Sequence, residues 1–376
     1  MIDKTAFFSW KVGKLCKGCK LCVNGLKTVL FITGLCSKKE GCYYCPIADD
    51  RRGVDVIYAN ERAISNIDEL YEEINLCGSK GVGITGGDPL MRLNRTVEYI
   101  TGLKKRYGKE FHIHLYCPIG SVSLNSLSRL HEAGLDEIRF HLDLENEKEW
   151  GKINLAKRFR WKIGVEIPVI PHKKEAYNKL IKFVRDKIHF FNLNELELAD
   201  NESSKLFSLG FVPKDEFSYA IKGSEELALD LLKRCEDLNT HYCTVKLKDL
   251  IQIPNRLKNR LKKVKAEFDE VKGFSLIRGA IYLRELKPDF GYRKLLAKTK
   301  NREGIIKQLE ELKDNLIVEF KIKKSLMKVD PVKLRILTSR KIVKQFSERI
   351  KKLSLIPAIV EELPSYDQFE TEIEFI

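Results

Sequence analysis

No stretch of this 376-residue chain approaches eighteen continuous apolar residues, so a bilayer-spanning helix is not expected. Its opening, Met1-Ile2-Asp3-Lys4, lacks the charged-then-apolar layout of a secretion signal, and the expected compartment is the cytoplasm. Repeats and low-complexity tracts are missing, which argues against solenoids and linker-like arrays. Methionine is scarce, with only 3 residues, while Lys and Glu are abundant, a composition that suits an ion-pair-rich surface. The last hundred residues hold neither cysteine nor histidine, so the chemistry is not expected there. Acid is also in deficit: 53 Asp and Glu against 68 Lys and Arg leave a formal net charge of +15. That balance suits a polyanionic partner, nucleic acid first, although the basic residues are spread widely and also fit a plain solvated surface.

Cysteine, by contrast, is plentiful. Six of the 10 cysteines (Cys16, Cys19, Cys22, Cys36, Cys42 and Cys45) crowd into thirty residues. A reducing compartment disfavours structural disulfides, so clustered thiols there point to metal or redox chemistry. Cys77, Cys117, Cys235 and Cys243 are scattered, and each alone reads as a small buried apolar side chain.

Apolar runs alternate with amphipathic stretches from about residue 28 to 200. Strands are expected at 28–33, 81–85, 111–116, 137–142, 162–170 and 195–198. Helices are expected at 65–76, 94–107, 124–133 and 176–187, the first with Ser65 and Asp68 in capping-box spacing. Six strands alternating with helices imply a parallel sheet in a partial (β/α)6 barrel, with chemistry at the carboxyl ends of the strands. The expected domains are a Cys-rich segment over 1–27, the barrel over 28–225, a helical, basic connecting region over 226–272, and a C-terminal α+β domain over 273–376. That last domain reads as a split βαβ, ferredoxin-like sandwich, with strands at 274–286, 315–322, 332–338 and 355–361 and helices at 302–313 and 340–353.

Just after the first strand, Cys36, Cys42 and Cys45 present three thiols, the last two as a CxxC knuckle. Four thiolates would close a zinc site or an iron–sulfur cluster, whereas three leave one coordination position free for an exogenous ligand. The second strand ends in Thr85-Gly86-Gly87-Asp88-Pro89, where glycines let backbone approach a ligand closely. Alone, that segment is a glycine turn at a strand end.

Taken together, the two motifs resemble those of the radical S-adenosylmethionine (SAM) superfamily. The resemblance covers about residues 25–200 and looks closest to the archaeal branch related to pyruvate formate-lyase activating enzymes. It implies a 4Fe–4S cluster on Cys36, Cys42 and Cys45, with Tyr44 before the last thiol as that family favours. It further implies a methionyl contact for SAM at Thr85, Gly86, Gly87 and Asp88. Two departures stand out: the first spacing is Cx5C rather than Cx3C, and Asp88 replaces a glutamate. The implied reaction is reductive cleavage of SAM to methionine and a 5′-deoxyadenosyl radical that abstracts hydrogen, fed by an electron donor of ferredoxin or flavodoxin type. By position, Asp143 and Glu166 are candidates for the ribose or methionyl group, and His114 for the barrel interior.

Cys16, Cys19 and Cys22, spaced by two residues, suit zinc or an auxiliary iron–sulfur cluster, with His241 or Cys243 as a fourth ligand; the lesser alternative is that one or more of these thiols is unligated core. For the substrate, charge and the basic stretch 256–263 favour a macromolecule, tRNA in particular. The alternatives are glycyl-radical activation of a protein, modification of a small metabolite, and, outside enzymology, a zinc-binding nucleic-acid module.

Overall fold

The computed structural model describes residues 1–38 and 41–376. The chain divides into two compact units, Met1–Arg256 and Leu257–Ile376.

The first unit opens with a hairpin, β1 (Ile2–Lys4) and β2 (Trp10–Val12), then a short helix, α1 (Lys17–Val23), and strand β3 (Lys27–Phe31). A small hairpin, β4 (Tyr58–Ala59) and β5 (Arg62–Ala63), leads to α2 (Ile67–Cys77). Strands and helices then alternate: β6 (Gly81–Thr85), α3 (Leu93–Tyr107), β7 (His112–Pro118), α4 (Leu124–Glu132) and β8 (Glu137–His141). They continue through α5 (Ile153–Ala156), β9 (Lys162–Val169), α6 (Lys174–Val184), β10 (Phe190–Glu195), α7 (Ser224–Lys233) and β11 (Thr240–Cys243).

All of these strands join one sheet in the order β1-β2-β11-β10-β9-β8-β7-β6-β3-β4-β5. The run from β3 through β6, β7, β8, β9 and β10 to β11 is parallel. Residues at its two ends, Lys27 on β3 and Cys243 on β11, line one cavity, so the sheet is curled into a partial barrel. Its outward-facing apolar side chains, among them Leu30, Ile84, Leu115, Ile138, Val165 and Phe191, are sealed beneath the helices. The alternate positions face inward, as the two-residue period of a strand requires, and many of them, Lys27, Arg139, Glu166 and Asn192 among them, are polar.

Several expectations are corrected. The sixth strand occupies Phe190–Glu195 rather than 195–198, and a seventh parallel strand, β11, lies inside the segment 226–272 that reads as a helical connector. The N-terminal segment is tied in by backbone pairing of β2 with β11. Helix α2 is capped by Asn66, which accepts from the Glu69 amide at 3.1 Å, while Glu69 accepts from the Ser65 amide at 2.6 Å. The cap therefore sits one residue later than the Ser65–Asp68 spacing implies.

Beyond β11 the chain turns through α8 (Val245–Leu247), a π-helical turn (Lys248–Gln252) and α9 (Ile253–Val264). The second unit carries β12 (Glu270–Lys272), β13 (Ser275–Leu283), α10 (Tyr292–Lys298), α11 (Arg302–Phe320) and β14 (Met327–Asp330). It closes with β15 (Arg335–Thr338), α12 (Arg340–Lys352), β16 (Leu355–Glu362) and β17 (Glu370–Phe375). Sheet order β14-β15-β13-β16-β17, antiparallel throughout, is a split βαβ sandwich with an added edge strand. Residues 315–320, expected to begin a strand, are instead the last turns of α11, whose Leu316 and Phe320 face the core.

Candidate functional site

The cysteine loop leaves β3 and packs its backbone directly on the end of β6. Gly87 N donates to Thr33 O at 2.8 Å and Asp88 N to Leu35 O at 2.7 Å. Gly86 has φ +146°, and a Cβ there would run into the Thr33 carbonyl; a Cβ on Gly87 would strike the Leu35 carbonyl. The two glycines are thus demanded by the loop that carries the thiols, a reason distinct from ligand approach. The base of the loop is pinned by Asp55, which accepts from Thr33 at 2.8 Å, Arg92 at 2.7 Å and Arg95 at 2.6 Å. The Arg95 hydrogen bond leads in holding the Asp55 carboxyl below the ordinary carboxylate range. Its far side is held by the segment after β10: Asn201 Nδ2 donates to the carbonyls of Cys45 at 3.0 Å and Ile47 at 2.9 Å, and Lys205 N to Tyr43 O at 2.7 Å.

Cys36, Cys42 and Cys45 all line a cavity of about 900 Å³ that runs into the barrel, and Thr85, Gly86 and Gly87 share its wall. Burial pushes the Cys36 and Cys42 thiols up, so a bound metal would be what ionises them. Tyr44 is fixed by His141 Nε2, 3.0 Å from its hydroxyl. Among the described residues no three His, Cys, Asp or Glu side chains gather around one point as a single ion demands. A cubane cluster takes its thiolates at separate corners, and these three thiols share one cavity wall.

The other expected contacts divide. Asp88 is fully buried off the cavity wall, where its Oδ1 caps the turn Pro89–Arg92 by accepting from Leu90 N at 3.0 Å. Asp143 pairs with Lys38 at 3.0 Å and also lies off the wall. Glu166 does face the cavity, accepting from Arg139 at 2.7 Å, Asn192 at 2.8 Å and Asn194 at 3.1 Å. His114 is wholly buried in the barrel, where burial holds its imidazole well below the usual range.

The second thiol group forms the floor of the same barrel. Helix α1 enters beneath the strands, with Gly18 so close to Arg139 and His114 that a Cβ would meet both. Its thiols Cys19 and Cys22 reach the cavity wall, as do His241 and Cys243 of β11. Cys16, at the helix N-cap, lies off the cavity wall beside Cys19, with Arg139 Nη2 3.2 Å from its sulfur. The hydrogen bond from Cys16, followed by Arg139 and His241, holds the buried Cys19 thiol well below its usual range.

Sequence reasoning missed Lys27, Tyr116, Arg139, His141, Asn192, Asn194 and Lys248, all on the cavity wall. A signal for most of them was available: polar residues two apart inside otherwise apolar strands, as in Asn192 and Asn194, mark a polar barrel interior.

The profile of the radical SAM superfamily matches residues 30–183. A Methanocaldococcus jannaschii protein, provisionally named a glycyl-radical enzyme activating enzyme, is 41% identical over 319 residues, covering 82% of this chain and 80% of that one. Among solved structures, methylornithine synthase aligns with 58% of this chain and 70% of its own at 16% identity and TM-score 0.39. A radical SAM methyltransferase from Kitasatospora setae, with tryptophan and a SAM analogue bound, aligns over 52% of this chain and 41% of its own at 12% identity and TM-score 0.33. On the strength of the 41% identity across four-fifths of both chains, this protein belongs to the radical SAM superfamily and is an enzyme of that class.

Proposed function

We propose that this radical SAM enzyme acts on a protein, removing a hydrogen atom from a glycine of a partner polypeptide. The observation that carries this reading is the relative that matches most of the chain, whose name is that of an activating enzyme. Two features of the fold support it. The cavity is open and large, at about 900 Å³, wide enough to admit a peptide loop beside SAM. The segment gripping the cysteine loop also exposes Phe207, Leu209, Val212 and Phe217, an apolar surface suited to a protein.

In this reading Cys36, Cys42 and Cys45 hold a 4Fe–4S cluster, and the backbone of Thr85, Gly86 and Gly87 meets the amino-acid end of SAM. When bound, the cluster supplies the electron that splits SAM, which ends as methionine and, after gaining hydrogen from the substrate, 5′-deoxyadenosine. The chain's own residues keep Tyr44 and His141 locked beside the loop, and fix Glu166 by three donors so that it points into the cavity as an acceptor.

The tRNA expectation finds no support in the comparisons. Two of the five cations in its main local motive are engaged elsewhere, since Arg256 pairs with Glu61 at 2.8 Å and Arg260 is buried, while Lys258, Lys262 and Lys263 are exposed.

The test is stimulation of 5′-deoxyadenosine formation by fractions of cell extract under anaerobic conditions with SAM and reductant. The proposal expects the stimulating fraction to lose its effect after protease and to keep it after ribonuclease. Loss with ribonuclease alone would return the substrate to RNA.

A further inference from the structure

Four side chains of the barrel floor have no role in the reading above: Cys19 and Cys22 on α1, and His241 and Cys243 on β11. We propose that Cys19, Cys22 and Cys243, with His241 at the fourth corner, hold a second iron–sulfur cluster at the closed end of the cavity. The inference is independent of which substrate the enzyme takes.

Geometry brings these donors together from two elements. Cys19 and Cys22, three apart on a helix, share one face, and His241 and Cys243, two apart on a strand, share one side. All four line the same cavity. His241 is prepared as a ligand in the way metal-bound histidines are: Nε2 is fixed by Ser9 Oγ at 3.0 Å, while Nδ1 is buried without a hydrogen bond. Asn192 Nδ2, 3.3 Å from the Cys19 sulfur, is placed to support a thiolate there.

A second, independent observation is Lys27. Its side chain is nine-tenths buried, and among the described residues no carboxylate pairs with it. It lines the same cavity wall as Cys19 and Cys22. A buried charge without a counter-charge is costly, so the site calls for an anion beside the thiols. A cubane core of charge +2 with three thiolates and a neutral imidazole carries one net negative charge, the complement of that ammonium. Cys16 is left out of the set, because Arg139 occupies its sulfur and it does not reach the cavity.

Anaerobic reconstitution of the full chain with iron and sulfide tests this. The wild type should bind about eight irons per chain, and both the triple variant Cys36→Ala/Cys42→Ala/Cys45→Ala and the triple variant Cys19→Ala/Cys22→Ala/Cys243→Ala about four. Cys16→Ala should keep about eight. Reduced first-triple variant should give a paramagnetic signal that SAM leaves unchanged, because its cluster has no open iron. A wild type that stops at about four irons overturns the proposal, whether or not the variants fold. So does a folded first-triple variant without iron, or one holding zinc at the floor.

Discussion

Gly87 shows how a single hydrogen atom in place of a methyl group organises the site. Its missing Cβ is the space taken by the Leu35 carbonyl, one residue before Cys36. Gly87→Ala should therefore displace the thiol loop while leaving the sheet intact. Reconstituted iron should fall by about the four atoms of one cluster, whereas unchanged iron binding would show that the contact is dispensable. Glu137 offers a second test. Burial alone would raise it, but Arg139, 2.7 Å away, and His112 hold it below the ordinary value of 4.5, at about 2. A depressed carboxyl contributes stability that is complete above the unfolded value and lost as pH falls through the folded one. The gap corresponds to on the order of 3 kcal/mol. In metal-free protein, the stability difference between wild type and Glu137→Gln should shrink as pH falls from about 4.5 towards 2, as read by denaturant unfolding at each pH. A difference that stays flat across that window would contradict the buried pairing. Cys36, Cys42 and Cys45 stood out because their spacing after a strand is a chemical statement in itself, and all three line one cavity. Lys27 and Arg139 were not, because a charge in a sequence carries no mark that it will be buried.

Strands β3, β6, β7, β8 and β9 announced themselves as apolar runs bounded by turns, and the structure places them within about two residues of expectation. β10 and β11 did not. In Thr240-His241-Tyr242-Cys243 only the outward positions need be apolar, and four residues alternating with polar side chains look like a loop. Its parallel pairing with β10 supplies what local pattern lacks. The same competition moved the start of α2, where two neighbouring polar residues each offered a cap and Asn66 won by reaching the Glu69 amide. Asn66→Ala should cost about 1 kcal/mol, measured as a lower unfolding midpoint. Ser65→Ala should leave the midpoint nearly unchanged, since Ser65 enters through its backbone amide. Equal losses from both would return the cap to Ser65. Residues 315–320 misled for the opposite reason: β-branched residues Ile317 and Val318 read as strand, but propensity yields to a helix already propagating from Arg302.

In the molecule as a whole, two sets of thiols and an acidic, cationic and amide-lined interior meet around one cavity in the first unit. No helix among the described residues is long and apolar enough to cross a membrane. The net charge of +15 suggested a polyanion, yet a count over 376 residues says nothing of which cations are paired, and many here are: Arg62, Arg95, Arg139, Arg278 and Arg335 each meet carboxylates. In the reaction proposed for this protein, SAM is split at a cluster held by Cys36, Cys42 and Cys45. Its most direct test is the yield of 5′-deoxyadenosine and methionine from anaerobically reconstituted protein given SAM and a strong reductant, beside the Cys42→Ala variant. Both products are expected from the wild type and none above background from the variant. Equal yields from the two proteins would contradict it.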